Sequence, residues 1–218
     1  MKIDILHRIS GKIIFSHSCK DNTTKLTVEA AVTAKVSLDY ARLDYARLVG
    51  ASLDYARLDY ARLDGARLDY ARLVGASLDG ARLDYASLVG ASLDGASLVG
   101  ASLVGARLVG ASLVGASLDG ARLVGARLVG ASLKTVEKIS TSDRPVFIIG
   151  PLGTDQHQLI AFDTDKGLRL QTGCFFGTLD EFKAALEKKH SKNLHAQEYI
   201  AALSLIENHF KIWPAKKS

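Results

Sequence analysis

Ala41-Arg42-Leu43-Asp44-Tyr45-Ala46-Arg47-Leu48-Val49-Gly50 is the stretch that decides the fold. Its five-residue unit runs unbroken to Gly130, 18 copies over 90 residues. Every first position is Ala and every third is Leu. The second is Arg or Ser, the fourth Asp or Val, the fifth Tyr or Gly, and Val is always followed by Gly. The frame reaches back to Val36-Ser37-Leu38-Asp39-Tyr40 and fades after Ala131-Ser132-Leu133.

A period of five fits neither common element. On an α-helix five residues advance by about 140° net, so the leucines would wind around every side. In a flat strand side chains alternate, and successive leucines would fall on opposite faces. Heptad coiled coils fail for the same reason. One geometry remains. Ala and Leu are two apart, so in a short extended segment they point the same way. A bend in each unit then turns that side inward again. Such bent segments close into a coil and stack, giving a β-solenoid lined with Ala and Leu. Positions two, four and five are expected to face water, which accounts for their variation.

The unit Ala-x-Leu-x-x, with Leu48 or Leu68 as inward residues and Ala46 or Ala66 as their smaller partners, resembles the pentapeptide-repeat proteins. The resemblance covers residues 36–133 and implies a mainly β fold, a right-handed quadrilateral parallel β-helix with four pentads per coil. That segment then makes about five coils, roughly 24 Å long at ~4.8 Å per stacked strand. Natural members vary their repeats, whereas eight residue types in near-identical units make up this one. It reads as an engineered or consensus repeat.

An open solenoid exposes its terminal edges and must be capped. The expected organisation is an N-terminal cap over 1–35, the solenoid over 36–133 and a C-terminal cap over 134–218, each cap small and α/β. Ile3–Leu6 and Lys12–Phe15 around Ser10-Gly11 predict a β-hairpin, and Asp21–Lys35 a short helix. Residues 146–149, 158–162 and 168–172 predict strands, with turns at Gly150-Pro151-Leu152-Gly153 and Asp165-Lys166-Gly167. Thr178-Leu179-Asp180-Glu181 is a capping box, followed by an apolar stripe of Leu179, Phe182 and Leu186. A second helix carries Tyr199, Ala202, Leu203, Ile206 and Phe210 at helical spacing. Gly173-Cys174-Phe175-Phe176-Gly177 and its surroundings resemble terminal segments of phage or bacterial family members.

The 218 residues are 48% hydrophobic and 23% charged, the composition of a folded chain rather than a charge-driven disordered one. No apolar run reaches the length of a membrane span, and Met1-Lys2-Ile3-Asp4 opens no signal peptide. Two cysteines, Cys19 and Cys174, make no disulfide framework, so the expected setting is the cytoplasm of an expression host. The net charge of +5 lies in the flanks, because residues 36–133 hold ten Arg and ten Asp. Grouping pentads four apart sorts those charges. The face beginning at Ala46 carries four Arg against Asp69, net +3, and the opposite face one Arg against four Asp, net −3.

No residue pattern supports catalysis, a cofactor or a metal. Gly50-Ala51-Ser52-Leu53-Asp54 lacks the final Gly of a nucleophile elbow and has no periodic His. Asp163-Thr164-Asp165-Lys166-Gly167 starts like a calcium loop but lacks the later ligands. His190 and His195 are five apart, the wrong spacing for a helical metal pair, and Cys174 could join them only by an accident of tertiary structure. Gly150–Gly153 lacks the Lys-Ser/Thr of a phosphate loop. Catalytic, cofactor-binding and metal residues are therefore all expected to be none. The resemblance implies no catalytic activity, and the uniform repeat reads as an engineered structural scaffold without biochemical activity that requires no partner. Self-association through solenoid faces or caps is the contact its pattern allows, and nucleic acid is disfavoured. The alternative is a topoisomerase-interacting, DNA-mimic binder, which the neutral solenoid does not fit.

Overall fold

A computed structural model of the chain describes residues 1–132, 139–140, 146–152, 157–172, 175–190 and 194–214. Two compact units divide it, Met1–Val136 and Glu137–Ser218.

In the first unit every pentad bends at the same place. The Ala N–H reaches back to the Leu carbonyl three residues earlier, as from Ala66 to Leu63 at 3.0 Å. The fifth residue has positive φ, 64° at Gly65 and 58° at Tyr45, while the fourth does not, which is the signature of a type II turn. The bend returns each segment to the inside. Consecutive segments then climb until a residue meets its equivalent 20 positions on, as in the parallel bridges Arg47–Arg67 and Ser52–Arg72. Four such columns run up the coil, one per side, so the cross-section is a quadrilateral.

Backbone polarity is satisfied between coils. The Leu68 N–H donates to the Ser87 carbonyl at 2.7 Å, and the Arg67 N–H to the Ala46 carbonyl at 2.9 Å. The leucines from Leu38 to Leu128 are at most 4% exposed, and Ala and Leu fill the interior together. Nothing polar from the repeats is buried with them. The fourth position departs from expectation. Its aspartates do not simply face water: side chains such as Asp64 and Asp69 are only 15–16% exposed. The reason is that the N–H one coil above lies within their reach, as described below.

The N-terminal flank covers the first coil. The hairpin pairs β1 (Lys2–Leu6) with β2 (Ile13–Ser18) in antiparallel register, with a bulge between Ile5 and Leu6. The Arg8 N–H donates to the Tyr40 carbonyl, and the Arg42 N–H to Leu6, each at 2.8 Å. Helix α1 (Thr24–Thr33) is capped by the Thr23 hydroxyl and buries Thr27, Val28 and Ala31. Its Glu29 carboxylate accepts the Ser52 N–H at 2.8 Å, so the helix is tied to the first coil by its polar face as well.

The second unit is a four-stranded antiparallel sheet in the order β3 (Val146–Leu152), β4 (His157–Thr164), β5 (Gly167–Thr172) and β6 (Phe175–Thr178), followed by α2 (Leu179–His190) and α3 (Leu194–Ile212). Leu159, Ala161 and Leu170 of the sheet pack with Phe182, Leu186, Tyr199, Ala202, Leu203 and Ile206 of the helices. The expected turn at Gly150-Pro151-Leu152 is instead the end of β3, carried past a register shift after Ile149. β3 is an edge strand, where a proline costs no ladder bond. Strand β6 was not expected from the residues. Its four positions are too few for a readable alternation.

The capping box forms as its residue types require. The Thr178 N–H donates to the Glu181 carboxylate at 2.7 Å, and the Glu181 N–H to the Thr178 hydroxyl at 3.2 Å. The first of these bonds holds the Glu181 carboxyl below its ordinary pKa. A lowered folded pKa means the cap stabilises above the ordinary carboxylate range and is lost as pH falls through the folded value. The acid limb of unfolding followed by α-helical circular dichroism should therefore weaken in Glu181→Gln, which keeps an acceptor without a titration. In the solenoid, Leu83→Ala should lower stability by about 2–5 kcal/mol in thermal or denaturant unfolding, since its site cannot collapse inside a closed coil.

Candidate functional site

The outside of the solenoid is where chemistry could occur, and three residue types build it. The fourth-position N–H has no backbone partner in the ladder, so a side chain supplies one. In eight places an aspartate accepts the N–H of the residue 20 positions on, from Asp39 to Asp59 through to Asp94 and Val114, at 3.0–3.3 Å. The same carboxylates take a second donor from position two of that coil. Ser77 donates to Asp59, Ser87 to Asp69 and Ser102 to Asp84. Where that residue is Arg, an ion pair replaces it: Arg57 with Asp39 at 2.7 Å, Arg72 with Asp54 at 2.6 Å and Arg82 with Asp64 at 3.0 Å. The Asp54 bond raises the Arg72 guanidinium above its usual pKa.

Tyrosine at position five sits at a backbone angle that bulky residues rarely adopt, φ 58–60° at Tyr45, Tyr55, Tyr60, Tyr70 and Tyr85. Each of those rings lies over the glycine one coil above. A Cβ built on Gly65 would come within 2.6 Å of the Tyr45 ring, and one on Gly105 within 2.7 Å of Tyr85. Tyr40 is the exception, because Tyr60 follows it and the rings stack at 5.1 Å. His7 stacks on the other side of Tyr40 at 5.3 Å, and the Arg8 guanidinium lies 5.5 Å from its ring centre.

A cleft of about 810 Å³ lies between β1, the start of α1 and the first coil, lined by Ile3, Asp4, Lys25, Arg42, Asp44 and Arg47 among others. The Ser16 hydroxyl, with Lys2, holds Asp4 below the usual carboxylate range. Its charged side chains are the basic Lys25, Arg42 and Arg47 and the acidic Asp4 and Asp44.

The residues weighed from sequence are scattered. Ser52 is an exposed second-position serine whose N–H is taken by Glu29. Asp163-Thr164-Asp165-Lys166-Gly167 is a tight hairpin in which Thr164 pairs with Gly167, and Asp163 accepts from the Ser140 hydroxyl at 2.7 Å. His195 lies near the start of α3, Cys174 lies outside the described residues, and His190 ends α2. Among the described residues no three His, Cys, Asp or Glu side chains come together as a metal site would need. None of the described helices is long and apolar enough to cross a membrane. Reading one pentad at a time missed the Asp-to-N–H contacts and the Tyr-over-Gly contacts. Both link positions 20 apart, and a comparison at that offset would have found them.

Comparison with protein-family models matches "Pentapeptide repeats" in eight copies, over residues 34–69, 61–98 and 96–134. Among solved structures, the chain is similar to the pentapeptide repeat protein Rfr23 of the cyanobacterium Cyanothece 51142, with 34% identity over 42% of this chain and 63% of that one, TM-score 0.42. It is also similar to a pentapeptide repeat protein of the Arabidopsis thaliana thylakoid lumen, with 27% identity over 55% and 70% of the two chains, TM-score 0.37. QnrB1, a plasmid-mediated fluoroquinolone resistance protein, matches at 21% identity over 42% and 57%, TM-score 0.22. The chain thus spans just under two thirds of the Cyanothece protein's length. No curated protein matches it.

The tyrosine contacts are separable from the backbone angle. Gly65 and Gly95 both follow Asp and have φ near +65°, but a Cβ on Gly95 meets nothing within 4 Å. Gly95→Ala should cost roughly 1–2 kcal/mol for the left-handed conformation alone. Gly65→Ala should cost more in denaturant unfolding, and adding Tyr45→Ala should erase the difference.

Proposed function

Through residues 34–134 the chain belongs to the pentapeptide-repeat family, and on that premise we propose that it is an engineered structural scaffold, a right-handed quadrilateral β-helix without biochemical activity. The observation that carries this reading is the uniformity of the repeat. Eighteen pentads draw on eight residue types, and most of the aspartates, five of the tyrosines and many of the position-two side chains bond or cover a neighbouring coil. Surface choices spent on coil-to-coil contact are what a stable spacer needs and what a substrate site does not. Its setting is the cytoplasm of an expression host, where the unpaired thiol of Cys19 is at home. It requires no partner to fold.

The solenoid's ten Arg and ten Asp speak against the second reading, a topoisomerase binder that mimics DNA. Such a protein needs negative charge along its whole length to compete for a cationic groove. A gyrase supercoiling assay separates the two readings: the scaffold leaves supercoiling unchanged at micromolar concentration, and potent inhibition would reverse the assignment. The scaffold reading also makes the coil a removable module. Deleting residues 81–100, one full coil, should leave circular dichroism and cooperative unfolding intact, whereas deleting seven residues from the same place should abolish both.

A further inference from the structure

The solenoid is neutral as a whole but divided along its length. The columns containing Arg42 and Arg47 are neighbours around the coil, and together hold eight of the ten arginines against four aspartates. The other two columns hold two arginines against six aspartates. Half of the circumference is thus net +4 and the other half net −4.

Neutralisation within the chain does not remove this division. Arg107 and Arg127 have Val89 and Val109 where an aspartate would pair with them, and both are exposed with no ion pair among the described residues. On the opposite side Asp59 and Asp79 accept from Ser77 and Ser97 and from the N–H groups of Asp79 and Val99. Those donors are all neutral, so the carboxylates keep their charge.

We propose that the partner of this surface is a second copy of the chain. The solenoids associate side by side, with the Arg47 column of one against the Arg57 column of the next. These columns are half a coil apart, so they lie on opposite sides and every copy presents both halves of the contact. Both repeat once per coil, about 4.8 Å, so solenoids lying parallel keep the two columns in step along their length. A polyanion would be drawn to one half and repelled by the other, and lacks that two-sided match. The contact joins unlike surfaces by translation, so it does not close at a dimer but extends as an open row.

The test is the weight-average mass of the full chain, measured by light scattering against concentration. At ~10 mM salt, where the screening length is about 30 Å, the mass should rise several-fold above the monomer without a plateau; at ~1 M, with about 3 Å, it should return to the monomer. Arg107→Glu/Arg127→Glu should stay monomeric at low salt, and Arg107→Lys/Arg127→Lys should associate like the parent. Should the Glu variant lose its β spectrum, the salt series on the parent and the Lys variant decides alone. A mass independent of salt, a closed dimer that survives 1 M salt, or undiminished association of a folded Glu variant overturns the proposal. So does tight binding of a single-stranded oligonucleotide by a chain that stays monomeric at low salt, which would assign the arginines to nucleic acid instead.

Discussion

Everything in the solenoid depends on the turn that closes each pentad. With the fifth residue at positive φ, the chain changes direction once every five residues, and the alternation of a strand is reset before it can carry Leu to the outside. The same turn leaves each segment short and straight, so its N–H and C=O groups aim along the stacking direction and meet the next coil at 2.7–3.0 Å. Packing and hydrogen bonding are therefore one event. A coil that buries its leucines has also paired its backbone, and a coil with no neighbour does neither, which is why the stack needs the hairpin and α1 over its first turn.

A consequence is that the exterior is not free to vary pentad by pentad. Aspartate at position four accepts an N–H 20 residues away, as Asp59 does from Asp79, and takes Ser or Arg 18 residues away as its second donor. Tyrosine at position five covers the residue one coil above, which is glycine in every case but Tyr60. Nothing in the structure explains why Val is followed by Gly alone. These constraints run up columns, so any surface property accumulates as a stripe. The division into arginine-rich and aspartate-rich halves is the largest such property, and it is invisible to a net charge near zero.

Much of the fold was legible because the physics acting on it is local. Ala and Leu two residues apart with a bend between units already require a lined tube. Thr178 and Glu181 at capping-box spacing already start α2, and the stripe from Tyr199 to Ile206 already marks the buried side of α3. What was misread depends on neighbours distant in sequence. Asp64 and Asp69 look like solvent-facing charges until the coil above brings a donor within reach. Gly150-Pro151 looks like a turn until β4 shows it to be the end of an edge strand. Of the exterior site, the charge sorting was legible from the pentads, whereas the tyrosine stack on His7 and the cleft beside α1 were not, because each joins the N-terminal flank to the first coil.

Periodicity by itself determined that the middle of this protein is a bent, stacked β-coil with Ala and Leu inside, since side-chain direction within five residues follows from covalent geometry alone. Only the tertiary structure decided the roles of the outer residues. A carboxylate becomes an N–H acceptor, a tyrosine a cover and an arginine an unpaired charge according to what the next coil places some 5 Å above it, and that distance in space corresponds to 20 positions along the chain.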